Sequence, residues 1–350
     1  MARAHIFAMT TDRGRWTTAR RAILAGAVFA ALVLGGTQAK PLGSPHPPLP
    51  LRVALVPYAG DVHNIVADAL HLHKGSWPSP IIFYTTRPRG GVAALAEGRA
   101  KLATMPLMTF VESALQQQHD AVPDAERLVV VARLSYISGL DIVVADRAQG
   151  VETYADIVLH PIGLMPGSVA EPLLDFILDS RDLGDAQPTV VPMPPGEMAA
   201  ALRQERIATA IIWSPFLDRI VASDPDRFHV LPSDDYFSEA LLLVSQERYL
   251  NRDRAQIRAY LEGLLAAEDL LYTNPEEVVT AIAEDQGVSE AAVMRNIERS
   301  SLALQVENFP PYLYQPITRW SCNRYETLEC VIPSGAFRAS DILKEITRPD

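Results

Sequence analysis

The sequence predicts an α/β protein of two similar lobes, and two observations carry that prediction. Short apolar strands alternate with amphipathic helices at the spacing of parallel βα units. The same cycle then starts again in mid-chain, which calls for a second sheet with its own helices. Composition agrees: 350 residues at 48% hydrophobic and 21% charged are globular and supply ample core for about two domains.

The first strand is Leu51 to Val56, closed by Pro57-Tyr58-Ala59-Gly60 and followed by a helix with Ile65, Val66, Ala69 and Leu70 on one face. Ile81 to Tyr84 is the second, leading through Thr85 to Gly91 into a helix with Val92, Leu95 and Ala96. Lys101 to Thr104 is the third, ending at Met105-Pro106 before a helix through Phe110, Val111 and Leu115. Leu128 to Ala132 and Leu140 to Ala145 are expected strands, with Ser135 to Gly139 between them. The second cycle has a short helix over Val151 to Ile157, a strand entering Pro166-Gly167-Ser168, and a strand at Thr189 to Val191. A helix over Met198 to Gln204 and a strand over Ala208 to Ile212, ending at Trp213, complete it. A strand returns at Leu241 to Val244, and helices follow at Ile257 to Leu265, after Asn274-Pro275, and after Ser289. Beyond Glu307 no regular pattern is predicted.

The ends of the chain carry separate signals. Arginines 13, 15, 20 and 21 precede an apolar run from Ala22 to Gly36, and Thr37-Gln38-Ala39 stands before Lys40. Basic region, apolar core and small-residue site in that order spell a secretory signal. The apolar run is shorter than the ~20 residues of a spanning helix. Cleavage and retention as an anchor both stay open, as do the general and twin-arginine export routes for Arg20-Arg21. The expected mature chain begins near Lys40, in a proline-rich leader, and is periplasmic. Its formal charge, −11 for the whole chain, repels phosphate backbones and anionic lipid, so nucleic acid is excluded as a partner. Cys322 and Cys330 are the only cysteines. In an exported protein they are expected to form a disulfide that closes a short loop.

The stretch Ile162 to Glu171 reads as a strand, a tight turn and a helix start. Ser168 with Glu171 three residues on is a capping-box spelling. Pro172 leaves two readings: a loose first turn capped by Ser168, or a helix that begins at Pro172. In both, the amides of Gly167, Ser168 and Val169 are expected to face forward without helical partners, as an anion or carbonyl-oxygen site.

Taken in order, several motifs resemble the solute-binding proteins of ABC importers, specifically the aliphatic-sulfonate, taurine, nitrate and thiamine-precursor group. They are Leu95-Ala96-Glu97-Gly98, Val151 to Ile157 before the strand ending in Pro166-Gly167-Ser168, Pro194 to Leu202, Trp213-Ser214-Pro215-Phe216, and the Asn274-Pro275-Glu276 helix. Lys101 and Thr209 depart from it, standing where aspartate is usual. The resemblance implies the type II periplasmic-binding fold, with lobe 1 over 51–143 plus 238–305, lobe 2 over 144–237, and a tail over 306–350. It places ligand at the turns between lobes: Tyr58, Gly60, Thr104, Met105, Gly167, Ser168, Val169 and Trp213. A monomer with no cofactor is implied, whose partners are a small-molecule ligand and an importer permease in the membrane.

Arg87, Arg89 and Arg133 near strand ends are candidates to neutralise a sulfonate or carboxylate. His71 and His73 share no helix face, so with His63 they make no metal site. Glycine-flanked serine, His-Glu-x-x-His, dinucleotide and phosphate-loop signatures are all missing, and no catalysis is expected. Two functions fit: a receptor that hands a small polar or anionic organic solute to an importer, and a periplasmic sensory module of the same fold that signals to a membrane partner.

Overall fold

The computed structural model describes residues 49–347, except 76, 88, 140–141, 233–237, 306–310, 326–329, 333–334 and 338–340. The expected signal segment 1–39 and nearly all of the leader 40–50 lie outside the described residues. The chain first lays down β1 (Arg52–Leu55), α1 (Val62–Ala69), β2 (Ile81–Tyr84), α2 (Gly90–Ala96), β3 (Leu102–Pro106), α3 (Leu107–His119) and β4 (Leu128–Ser138). It then builds β5 (Val143–Asp146), α4 (Tyr154–Ile157), β6 (Ile162–Leu164), α5 (Ala170–Ser180), β7 (Val190–Pro192), α6 (Pro195–Arg203), β8 (Thr209–Ile211), α7 (Phe216–Ser223) and β9 (Phe228–Val230). Returning, it forms β10 (Ser238–Gln246), α8 (Glu247–Arg252), α9 (Arg254–Thr273), α10 (Pro275–Gln286), α11 (Glu290–Glu298) and β11 (Ser300–Ser301). The tail contains α12 (Pro311–Arg324) and α13 (Asp341–Thr347).

These strands make two sheets. One has six strands in the order β11-β4-β10-β3-β1-β2, the other five in the order β7-β6-β8-β5-β9. The chain passes between them twice, after β4 and again before β10. Both sheets are mixed, not mainly parallel as the βα alternation suggests. β1 pairs in parallel with β2 and β3, whereas β10 runs antiparallel to both β3 and β4. β6 is parallel to β7 and β8, and β5 is antiparallel to β8 and β9. The antiparallel strands are those that enter and leave each lobe.

β10 is the centre of the first lobe and reads as a buried run, Ala240-Leu241-Leu242-Leu243-Val244, with both faces covered. Leu241 and Leu243 join Val53, Leu55, Ile65, Leu261 and Leu264 on the side of α1 and α9. Ala240, Leu242 and Val244 join Phe110, Val111 and Leu115 of α3 on the other. In the second lobe Ile162, Leu164, Leu173, Leu174 and Ile177 make the corresponding contact between β6 and α5.

Four local expectations change. Ser135 to Ser138 are the end of β4, because β10 pairs with them across two register shifts. α6 starts at Pro195, three residues early, with proline in the first turn where its missing N–H costs nothing. α7, which turns Leu217 and Ile220 inward at helical spacing, and β9 are additional elements that form against the second sheet. The tail, predicted irregular, holds two helices: α12 packs on α3 and α13 on α9. Cys322 is bonded to Cys330, with Cα atoms 5.8 Å apart.

Candidate functional site

The carboxyl ends of both sheets converge on a cavity of about 270 Å³ between the lobes. Open α/β sheets place ligands here because strand ends and helix starts leave loop backbone free. The first lobe contributes Val56 to Tyr58 after β1, Thr85 to Arg87 and Arg89 to Val92 between β2 and α2, and Thr104 to Pro106 with Thr109 from β3 and α3. The second contributes Met165 and Gly167 to Val169 after β6, Pro194 to Gly196 after β7, and Trp213 with Phe216 after β8. Glu239, at the start of β10, completes the wall.

Seven of the eight residues expected at the site line this cavity. Gly60 does not. It lies behind Tyr58, where a Cβ would come within 2.5 Å of the Tyr58 ring and 2.7 Å of Ser135 Oγ, so glycine there makes room for the tyrosine.

The chemistry of several lining groups differs from expectation because the fold already uses them. Thr104 Oγ1 accepts the Val56 N–H at 2.9 Å and donates to Asp61 at 3.3 Å, which leaves its methyl and backbone for the cavity. Trp213 Nε1 donates to the Pro57 carbonyl at 3.0 Å, tying one lobe to the other. A second tie runs from the Ala59 N–H to the Ser214 carbonyl at 3.0 Å. The indole therefore presents surface, not a donor.

The turn after β6 is the largest revision. α5 begins at Ala170, so Pro172 sits inside the first turn, where no N–H is required of it. Ser168 Oγ donates to the Met165 carbonyl at 2.6 Å and accepts the Ala170 N–H at 3.2 Å. Glu171 reaches back to the Gly167 N–H at 2.8 Å. Of the three amides expected to be free, Gly167 is thus taken, while those of Ser168 and Val169 have no partner among the described residues. Gly167 has φ +70°, a backbone that glycine adopts without steric cost.

Charge at the cavity is mixed. Arg89 pairs with the buried Glu112 at 3.1 Å, whereas Arg87 is exposed at the rim. Arg133 lies away from the cavity and donates to Gln305. Glu239 was not singled out in sequence. It is 2% exposed, and burial pushes it up to about 8 against the pull of the backbone N–H groups it accepts. Tyr58 is raised well above its ordinary value by burial and then by Glu239. One sequence signal could have found Glu239: an acid directly before five consecutive apolar strand residues must be buried with them.

A second hollow, about 440 Å³, lies on the far side of Tyr58 and Ala59, between α7 and α11. It is the larger one, but its charges are engaged internally: Arg219 donates to the Gln286 carbonyl, and Arg295 pairs with Asp218. His63 faces Glu268 at 3.7 Å and His73 stacks on Tyr260, so both are packed in the first lobe. Among the described residues no group of three or more His, Cys, Asp or Glu is placed to hold a metal.

Two sheets, two crossings and a cleft at the strand ends define the two-lobed periplasmic-binding-protein fold. The chain belongs to the NMT1/THI5-like family, whose model matches residues 86–278. No curated protein sequence matches the chain. Solved structures with the same fold include the alkanesulfonate-binding protein SsuA of Xanthomonas axonopodis pv. citri, bound to MOPS, at 16% identity and TM-score 0.65, covering 83% of this chain and 96% of that one. The periplasmic aliphatic sulphonate binding protein SsuA of Escherichia coli is 17% identical with TM-score 0.61, at the same coverages. The periplasmic nitrate-binding protein NrtA of Synechocystis PCC 6803 is 12% identical with TM-score 0.62, over 85% of this chain and 88% of that one.

Proposed function

We propose that the chain is an extracytoplasmic solute-binding protein that captures a small polar or anionic organic solute and presents it to an ABC importer. The observation that carries this reading is the cavity itself, walled by strand-end loops of both lobes and bounded by the Trp213–Pro57 and Ser214–Ala59 ties. A solute that touches both walls stabilises the closed arrangement only by the affinity it has for closed over open. The family and the names of the structural neighbours support a solute of the sulfonate, nitrate or thiamine-precursor kind. Binding, not catalysis, suits a cavity whose hydroxyls at Thr104 and Ser168 are engaged by the protein. A periplasmic site of action follows from the signal-like N-terminus, and no helix among the described residues is long and apolar enough to cross a membrane.

Native mass spectrometry of protein purified gently from its own periplasm tests this. A retained small molecule that Trp213→Ala loses is expected. Protein that carries no molecule and shows no melting shift with any small organic solute overturns the reading.

A further inference from the structure

Two side chains that line the cavity carry a polar atom with no hydrogen-bond partner among the described residues: the Tyr58 hydroxyl and Oε2 of Glu239. Both side chains are more than nine-tenths buried, at 7% and 2% exposure. The other oxygen of Glu239 has a structural task. It accepts the N–H groups of Leu107 and Ala240, each at 2.9 Å, and so caps α3, whose preceding Pro106 supplies no capping side chain. The Met108 N–H of the same helix start also acts on this carboxyl, but Oε2 has no hydrogen bond of its own among the described residues. A carboxyl oxygen among apolar walls without a donor is costly, and native structures seldom leave one so. Among the described residues no cation answers it: Arg89 is paired with Glu112, and Arg87 sits exposed at the rim.

Resting on the solute-binding reading above, we propose that Glu239 selects the solute, which carries an ammonium or comparable N–H group that pairs with its free carboxyl oxygen. Tyr58 offers a second acceptor beside it. The rings of Trp213 and Phe216 add faces that attract a cation. An anionic end, where the solute has one, falls to the free amides of Ser168 and Val169 and to Arg87. The solute class is therefore a small amine or zwitterion.

Proton release gives this pairing its own signature. Burial holds Glu239 near 8, so in the empty cavity it is largely protonated at neutral pH. An ammonium beside it favours the carboxylate, and binding then expels that proton to solvent. The other charged or titratable side chains around the cavity are Tyr58, Arg87 and Arg89, with Glu112 behind Arg89.

The test is titration calorimetry of wild type and E239Q in two buffers of different ionisation enthalpy. Two matched pairs serve as probes: taurine with propanesulfonate, and para-(aminomethyl)benzenesulfonate with para-ethylbenzenesulfonate, each pair exchanging an ammonium for a methyl. Wild type is expected to prefer each amine by about 30-fold, the scale of a buried charge pair, with proton release. E239Q keeps a carbonyl oxygen to cap α3 but loses both the preference and the release. Should E239Q fail to fold, the preference and proton release of wild type still decide. Methyl probes that bind as tightly as the amines, or an amine preference that survives in E239Q, overturn the assignment of Glu239 and leave the solute-binding reading standing. If no probe binds, the molecule retained on purified protein decides: an N–H group in it supports the proposal, its lack overturns it, and no molecule at all overturns both readings.

Discussion

Arg324 in α12 donates to Glu171 in α5 at 2.7 Å, and the other oxygen of Glu171 accepts the Gly167 N–H in the cleft wall. One turn earlier, Trp320 Nε1 donates to Asp175 at 2.8 Å. Because α12 also packs on α3, the tail helix is tied to both lobes and reaches the cleft through a single carboxylate.

Removing that tie should loosen the lobes more than it weakens the fold. Both bonds are exposed, so Trp320→Phe with Arg324→Ala is expected to cost about 1–2 kcal/mol in stability. Small-angle scattering of the ligand-free double variant should show a larger radius of gyration than wild type. An unchanged radius means that the tail decorates the lobes without restraining them.

The disulfide should be complete and modestly stabilising. Cys322 and Cys330 are eight residues apart, and closing a loop of that length is worth about 2–3 kcal/mol by chain entropy. Thiol titration of unreduced protein should find no free thiol, and reduction should lower Tm. Two reactive thiols would show that the tail does not hold this bond in solution.

Ser168 and Gly167 should separate stability from binding. The Ser168 hydroxyl is buried and committed to Met165 and Ala170, so Ser168→Ala is expected to cost about 1 kcal/mol of stability with little further loss of affinity. Gly167→Val forces a β-branched residue to φ +70° at the cavity wall and should reduce both Tm and binding. Melting curves with calorimetry on the recovered ligand would contradict this if Ser168→Ala lost affinity at unchanged Tm.

Trp213 offers a finer division. Trp213→Phe keeps an aromatic face but loses the donor to Pro57, so about 0.5–1.5 kcal/mol of the cross-lobe tie should disappear while ligand contact largely persists. Trp213→Ala removes both. Equal ligand affinities for the two variants would place the indole outside the contact surface.

Much of this was legible in the sequence, for physical reasons. Strand ends could be placed because Pro57, Met105-Pro106 and Pro166-Gly167 follow buried apolar runs, and those ends form the cavity. Hydrogen-bond commitments were not legible. Trp213 and Thr104 meet partners distant in the chain, at Pro57 and at Val56 and Asp61, and no local pattern announces such pairs. The Gly167 amide was lost to Glu171 for a subtler reason. The capping box that Ser168 and Glu171 spell does not form: the helix starts at Ala170 behind Val169, so Ser168 accepts the Ala170 N–H and the glutamate reaches one residue beyond Ser168. The tail was opaque because α12 is held by contacts with α3 and α5 and has an interior proline, Pro316, that works against helical propensity.

Stability should fall as pH rises through neutrality, because two acids are buried without a cation. Asp61 is 1% exposed, and its burial lifts it to about 7, against the hydrogen bonds from Asn64 and Thr104; Glu239 is lifted to about 8. Above about pH 5 the unfolded chain has released both protons, whereas the folded protein keeps them, so each acid lowers stability by about 1.4 kcal/mol per pH unit. That loss ends for Asp61 near 7 and for Glu239 near 8. His73 acts in the opposite sense at lower pH. Its burial holds it near 4, so below 6.5 the unfolded imidazole binds a proton that the folded one refuses, and stability falls as pH drops. The steepest alkaline loss is therefore expected between about pH 6.5 and 7, at roughly 2.7 kcal/mol per unit as an upper bound, easing to half that up to about pH 8. Urea unfolding across this range measures it directly. Asp61→Asn and E239Q should each flatten the profile, and a wild-type profile already flat from about pH 6 to 8 would show that neither acid retains its proton in the folded protein.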